Sequence, residues 1–220
     1  MMFEFLIANR ADLIERCRTK VIARREYAPV HEQLQNGVPL FLDQLTRTLL
    51  VEQTATPLDS RKISGASGGD ASHLSEMGIS AKQHGGELLK LGYTIDEVVH
   101  NYGDLCQAIT DLAFDRDAPL LVDEFRTLNR CLDNAIADAV KEFSQQSTIE
   151  AAQAHTLESR KNMDRLRDKL LNHLATATLA FSAARSGHLG LSGATGKVLE
   201  RSLVAMSDLI HSDANDSDPK

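Results

Sequence analysis

The sequence has no tryptophan, and aromatic residues of all kinds make up only 5% of its 220 residues. Hydrophobic residues make up 42% of the chain, so a core must be built mainly from Leu, Ile, Val and Ala. That composition is typical of helix bundles and unusual for β-sandwiches, whose strands favour aromatic and β-branched residues. We therefore expect an all-α protein.

Long apolar runs, basic runs and paired cysteines are also missing. No stretch approaches the ~20 apolar residues of a membrane span, and the N-terminus lacks the basic flank of a signal peptide. A net charge of −7 without a basic run argues against nucleic-acid binding. Cys17, Cys106 and Cys131 form no CxxC pair, as expected of buried thiols in a reducing cytosol. We expect a cytoplasmic protein with no membrane or nucleic-acid partner.

Apolar residues recur at steps of three and four along nearly the whole chain, which predicts consecutive helices. The capping box Thr94-Ile95-Asp96-Glu97 marks the start of one helix. Further starts are expected at Asp70, which can cap a helix interrupted at Gly78, and near Pro39 and Pro119.

Other segments mark interruptions between these helices. Tyr27-Ala28-Pro29 ends the first one, because the residue before proline disfavours the α region. Gly92 is a natural C-terminal stop. Residues 54–69 are rich in Gly and Ser, which predicts a mobile surface loop.

The C-terminal third has a narrower apolar stripe, typical of a four-helix-bundle seam. Two helices joined by a short connection cover only part of such stripes, so a homodimer is expected. The predicted dimer interface consists of Leu166, Leu170, His173, Leu174, Ala177, Phe181, Val198, Leu199, Leu203 and Met206. The predicted organisation is a helical sensor domain (1–145), a helical connector (146–165), a dimerisation hairpin (166–211) and a disordered tail (212–220).

Two segments of the hairpin carry a resemblance to a known family. They are Leu174-Ala175-Thr176-Ala177-Thr178-Leu179-Ala180-Phe181 and the stretch from Gly187-His188-Leu189-Gly190-Leu191-Ser192-Gly193 to Val198-Leu199-Glu200-Arg201-Ser202-Leu203. With them, residues 166–211 resemble the dimerisation and histidine-phosphotransfer hairpin of a group of bacterial sensor histidine kinases.

The N-terminal part resembles the all-helical sensor region of the same kinases, and distantly the globin-like modules of stressosome co-antagonists of the RsbR type. The supporting segments are 9–16, His84-Gly85-Gly86-Glu87-Leu88-Leu89 and 96–105. The candidate sensor site in this region consists of His84, His100, Tyr102 and Asp104. Two histidines in a globin-like module also suggest haem, but no aromatic haem pocket is evident. We expect no cofactor and no metal.

The chain departs from these kinases at the site of their chemistry. Their His-Glu-Leu-Arg-Asn box aligns with Asp168-Lys169-Leu170-Leu171-Asn172, so Asp168 stands at the phosphoacceptor position. A carboxylate cannot form the phosphoramidate that imidazole forms, and Lys169 replaces the acid that serves as general base. Only nine residues follow His211, whereas an ATP-binding domain needs on the order of 100. No catalytic residue is therefore assigned.

The resemblance implies a non-catalytic, dimeric regulator of two-component signalling that binds a response regulator or a sensor kinase through its hairpin. Two alternatives remain. His173, five residues after Asp168, could act as a displaced phosphoacceptor, although its position on the seam favours packing. The N-terminal domain could instead sense a small molecule and use the hairpin only to dimerise.

Overall fold

The computed structural model describes residues 1–24, 37–69, 74–186 and 193–216. Every regular element among them is helical, which confirms the all-α prediction. No helix of this described part is both long and apolar enough to cross a membrane. The α-helices are α1 (Met2–Ala8), α2 (Arg10–Arg24), α3 (Val38–Glu52), α4 (Ser60–Ser64), α5 (Glu76–Lys90), α6 (Ile95–Asp115), α7 (Val122–Arg185) and α8 (Ala194–Asp216).

Several helix boundaries follow from local capping. The side chain of Thr94 accepts a hydrogen bond from the Glu97 N–H, and Glu97 accepts one from the Thr94 N–H at 2.8 Å. This confirms the predicted capping box at the start of α6. Gly92 adopts φ +72°, a left-handed conformation that suits glycine just after a helix.

Other boundaries differ from the predictions. Helix α5 is capped by Ser75, whose hydroxyl accepts from the Gly78 N–H at 3.0 Å, and it continues unbroken through Gly78. Helix α7 begins at Val122 rather than near Pro119. Helix α8 runs to Asp216, into the segment 212–220 for which the sequence predicts disorder.

Some predicted features lie outside the described residues. They are the stop at 27–29, the start at Asp70 and the hairpin connection at 187–192.

The chain divides into two compact units, Met1–Glu150 and Ala151–Lys220. In the first unit, α3 contacts α1, α2, α4 and α5, and α2 contacts α6. One mainly aliphatic core joins α1, α2, α3, α5 and α6 to the first part of α7. Its fully buried members include Leu13, Leu45, Leu88, Leu105, Ile109 and Leu128.

The predicted surface loop 54–69 is wrong in its central part. It contains a turn of 3₁₀ helix followed by α4, and Ser60 and Ser64 are buried. The Asn134 amide donates hydrogen bonds of 2.9 Å to the carbonyl oxygens of Ser64 and Ala66. The Ser60 hydroxyl donates to the Glu52 carboxylate at 3.1 Å. Polar side chains from α3 and α7 thus hold a segment that has few apolar residues of its own.

Glu52 is the centre of this polar cluster. Burial alone would raise its pKa, but hydrogen bonds from Thr127 and Arg130 outweigh burial and hold the pKa of Glu52 below its ordinary value. A charged carboxylate therefore persists in a half-enclosed site because its acceptor positions are satisfied.

Candidate functional site

The structure brings together only part of the predicted sensor site. The rings of His84 on α5 and Tyr102 on α6 pack edge to face, with centroids 6.0 Å apart, and both side chains are buried. Asp104 is also buried and forms an ion pair with Arg24 of α2. His100 is exposed on the surface of α6. The two histidines therefore do not form one site.

A cavity of about 230 Å³ opens beside His84 between helices α2, α3, α5 and α6. A smaller space of about 20 Å³, bordered by His84, Asn101 and Tyr102, adjoins it. The larger cavity is lined by Ile14, Glu15, Cys17, Arg18, Val21, Gly37, Val38, Pro39, His84 and Asn101. Most of these were not predicted as site residues. Ile14, Cys17 and Val21 recur at steps of three and four along α2, and such a stripe does not by itself indicate a cavity.

The charges at this cavity balance one another. Glu15 and Arg18 form an ion pair with an N–O distance of 3.6 Å. Burial, together with the nearby Asp104 carboxylate, raises the pKa of the Cys17 thiol to about 12, so the thiol stays protonated at neutral pH. Asn101 accepts a hydrogen bond from Arg24 at 3.1 Å. Among the described residues, the cavity walls are therefore apolar or electrically neutral overall.

The cavity gives no support to the haem alternative. A volume of 230 Å³ suits a single ring and is far smaller than a tetrapyrrole requires. Among the side chains that the structure describes, no group of three or more His, Cys, Asp or Glu residues is placed to hold a metal ion.

In the second unit, the predicted interface residues fall into two groups by exposure. Ala177 is buried, and Leu166, Leu170 and His173 are half-buried. At about 100° per residue these four lie along one face of α7. This face is already partly covered within a single chain.

The second group is open to solvent. In the single chain the exposed fractions are 52% for Leu174, 52% for Phe181, 42% for Val198 and 52% for Leu203. Leu199 and Met206 on α8 are half-buried. Leu174 and Phe181 lie within about 80° of the covered face of α7. Helix α7 therefore has an uncovered apolar face directly beside its covered one.

The degenerate phosphoacceptor box lies mostly on another side of α7. Asp168, Lys169, Leu171 and Asn172 are exposed, and Leu170 is half-buried. At about 100° per residue, Asp168 and Asn172 lie roughly 120–160° from Leu166, on the side away from Leu174.

The carboxylate of Asp168 is open to solvent. Its side chain is 70% exposed, and its nearest ionic partner is Arg167 at 3.4 Å. An approaching protein could therefore reach it.

His173 is placed poorly for the alternative phosphotransfer chemistry. It is half-buried on the same face as Leu166 and Ala177, whereas Asp168 is open to solvent. A phosphoacceptor must be reached by the phosphate donor along its line of attack. The position favours a packing role for His173.

No family model, curated protein or solved structure matches this chain.

Proposed function

We propose that this chain is a dimeric, non-catalytic regulator of two-component signalling, which binds a response regulator or a sensor kinase through its C-terminal hairpin. One observation carries the proposal. A solvent-exposed carboxylate, Asp168, stands where the kinases that the hairpin resembles have their phosphoacceptor histidine. A partner could reach this carboxylate, but the imidazole nucleophile of those kinases is missing.

The exposed apolar residues of the hairpin support dimerisation. Leu174, Phe181 and Leu203 are each about half exposed in the single chain. Covering the exposed half of such a side chain contributes about 1 kcal/mol. Two copies would cover these residues reciprocally and complete a four-helix bundle, because the same face is used on both subunits.

The partner-binding face is assigned to the other side of α7. Asp168, Lys169 and Asn172 are exposed and point away from the apolar face at Leu174. A dimer formed through Leu174 would leave them accessible. A response regulator bound there would meet a kinase-like helix without receiving phosphate, so binding would sequester it from active kinases.

The first experiment identifies a partner and then tests this face. Cross-linked affinity capture from the native cytosol, followed by mass spectrometry, supplies a response regulator or kinase for a purified binding assay. We expect Lys169→Glu to weaken that binding at least tenfold, because it reverses a charge beside Asp168. The mass in solution should remain that of a dimer.

Lys161→Glu provides the matched control. It makes the same charge change on the same helix, about 12 Å away at 1.5 Å per residue. Equal affinities for Lys169→Glu and the unaltered protein would show that the face is wrongly placed. An acid-labile phosphoryl label that disappears in His173→Ala would contradict the non-catalytic proposal itself.

A further inference from the structure

The cavity beside His84 has no part in the hairpin proposal. Its described lining residues all belong to the unit Met1–Glu150 and come from four helices of that unit and from Gly37. We propose that it binds a small, uncharged, mainly apolar molecule, about the size of one aromatic ring with a single hydrogen-bonding group.

The size and the walls of the cavity set the size of the ligand. Ile14, Cys17 and Val21 line it from α2, and Val38 and Pro39 line it from α3. An apolar protein cavity of about 150 Å³ is known to hold benzene. A volume of about 230 Å³ therefore has room for a ring and a short substituent.

Two polar side chains in the cavity are the reason for expecting one hydrogen-bonding group on the ligand. His84 and Asn101 line both the main cavity and the small space that adjoins it. The edge-to-face contact with Tyr102 fixes the plane of the His84 ring. A few fixed polar groups in an apolar wall orient a ligand and make the site selective.

The charge balance selects an uncharged ligand. Glu15 and Arg18 neutralise each other at the cavity, and Cys17 is protonated at neutral pH. A charged ligand would lose its hydration without gaining an opposite charge to replace it.

The test uses benzyl alcohol and benzoate as probes, because they share a ring and differ in charge. Binding to the full chain is measured by saturation-transfer NMR and by titration of methyl resonances, with no partner protein present. A failure here therefore leaves the hairpin proposal untouched. We expect saturable binding of benzyl alcohol with a dissociation constant on the order of 1 mM, and benzoate at least tenfold weaker.

The variants localise that binding. Val21→Phe places a ring in the cavity from α2 and should weaken benzyl alcohol binding at least tenfold. Ile22→Phe makes a similar change at the next residue, which is 49% exposed and does not line the cavity, and should bind like the unaltered protein. Val38→Phe fills the cavity from α3 and replaces Val21→Phe in the binding test if Val21→Phe does not fold.

Three outcomes would overturn the proposal. One is the absence of saturable benzyl alcohol binding. Another is unchanged binding in folded Val21→Phe or Val38→Phe. The third is equal binding of benzoate, which would refute the preference for an uncharged ligand.

Discussion

Gly85 of α5 permits a close approach between α5 and α7 in the N-terminal unit. A Cβ atom at Gly85 would lie 2.3 Å from the carbonyl oxygen of Ala139 on α7, and 3.0 Å and 3.1 Å from its carbonyl carbon and Cα. All three neighbours are backbone atoms, which cannot rotate away as a side chain can. Gly85→Ala must therefore push α5 and α7 apart.

Two opposing effects determine how much Gly85→Ala changes the free energy of unfolding. Alanine is favoured over glycine in a helix interior by about 1 kcal/mol. Overpacking a tight contact costs about 1–3 kcal/mol, and the upper end applies here because Ala139 is fully buried and meets the new atom with its backbone. We expect Gly85→Ala to lower the free energy of unfolding by about 2 kcal/mol, which lowers Tm by about 4–8 °C in a protein of this size.

Gly103→Ala is the matched control, and its expected change in the free energy of unfolding has the opposite sign. Gly103 lies inside α6, and apart from its chain neighbours and the nearby backbone of α6 itself, no described atom lies within 4 Å of the position that its Cβ would take. The substitution should stabilise the unit by about 0.5–1 kcal/mol. Urea unfolding followed by tyrosine fluorescence measures both variants, because all three tyrosines lie in Met1–Glu150 and report on that unit alone. A Gly85→Ala protein as stable as the unaltered one would refute the close contact.

Two further predictions concern the dimer face and the buried thiols. Leu174→Glu should convert the proposed dimer to a monomer, as measured by light scattering coupled to gel filtration. Leu179→Glu, on an outward face with 72% exposure, should have the same mass as the unaltered protein, and a dimeric Leu174→Glu protein would contradict the assigned face. Burial raises the pKa of Cys17 and of Cys131 to about 12. Above pH 9 the unfolded chain loses these protons while the folded chain keeps them, so each thiol lowers the free energy of unfolding by about 1.4 kcal/mol per pH unit between about pH 9 and 12. Urea titrations at pH 8 and pH 10.5 measure how far the free energy of unfolding falls between the two pH values. The fall should be smaller in the double variant Cys17→Ala, Cys131→Ala than in the unaltered protein. An equal fall in both proteins would contradict the burial of the thiols.

Features that depend on neighbouring residues could be predicted from the sequence. The capping box at Thr94 and the glycine stop at Gly92 are decided within one helical turn, and the structure has both. The connector 146–165 lacks glycine and proline, and it is helical as part of α7. Each of these depends on interactions between residues at most a few positions apart.

Features that depend on distant residues could not be predicted in the same way. The segment 54–69 is anchored by Glu52 and by Asn134, which is about 70 residues away along the chain. The cavity arises where four helices meet, so no single periodic stripe reveals it. Spacing also placed Ala177 and Leu174 in one apolar stripe, although the first is buried within the chain and the second is open. A stripe shows which residues avoid water, but it does not show whether the same chain or a second copy covers them.

Adjacent residues of α5 connect the cavity to α7. His84 lines the cavity, and the next residue, Gly85, contacts the backbone of Ala139 on α7. A ligand that displaces α5 by a fraction of an ångström would disturb this contact, because backbone atoms already meet there without a side chain to absorb the shift. Helix α7 also carries Asp168 and the apolar face at Leu174. The helix that α5 meets at Gly85 therefore continues into the second unit, and ligand binding and hairpin assembly can be compared in the same Gly85→Ala variant.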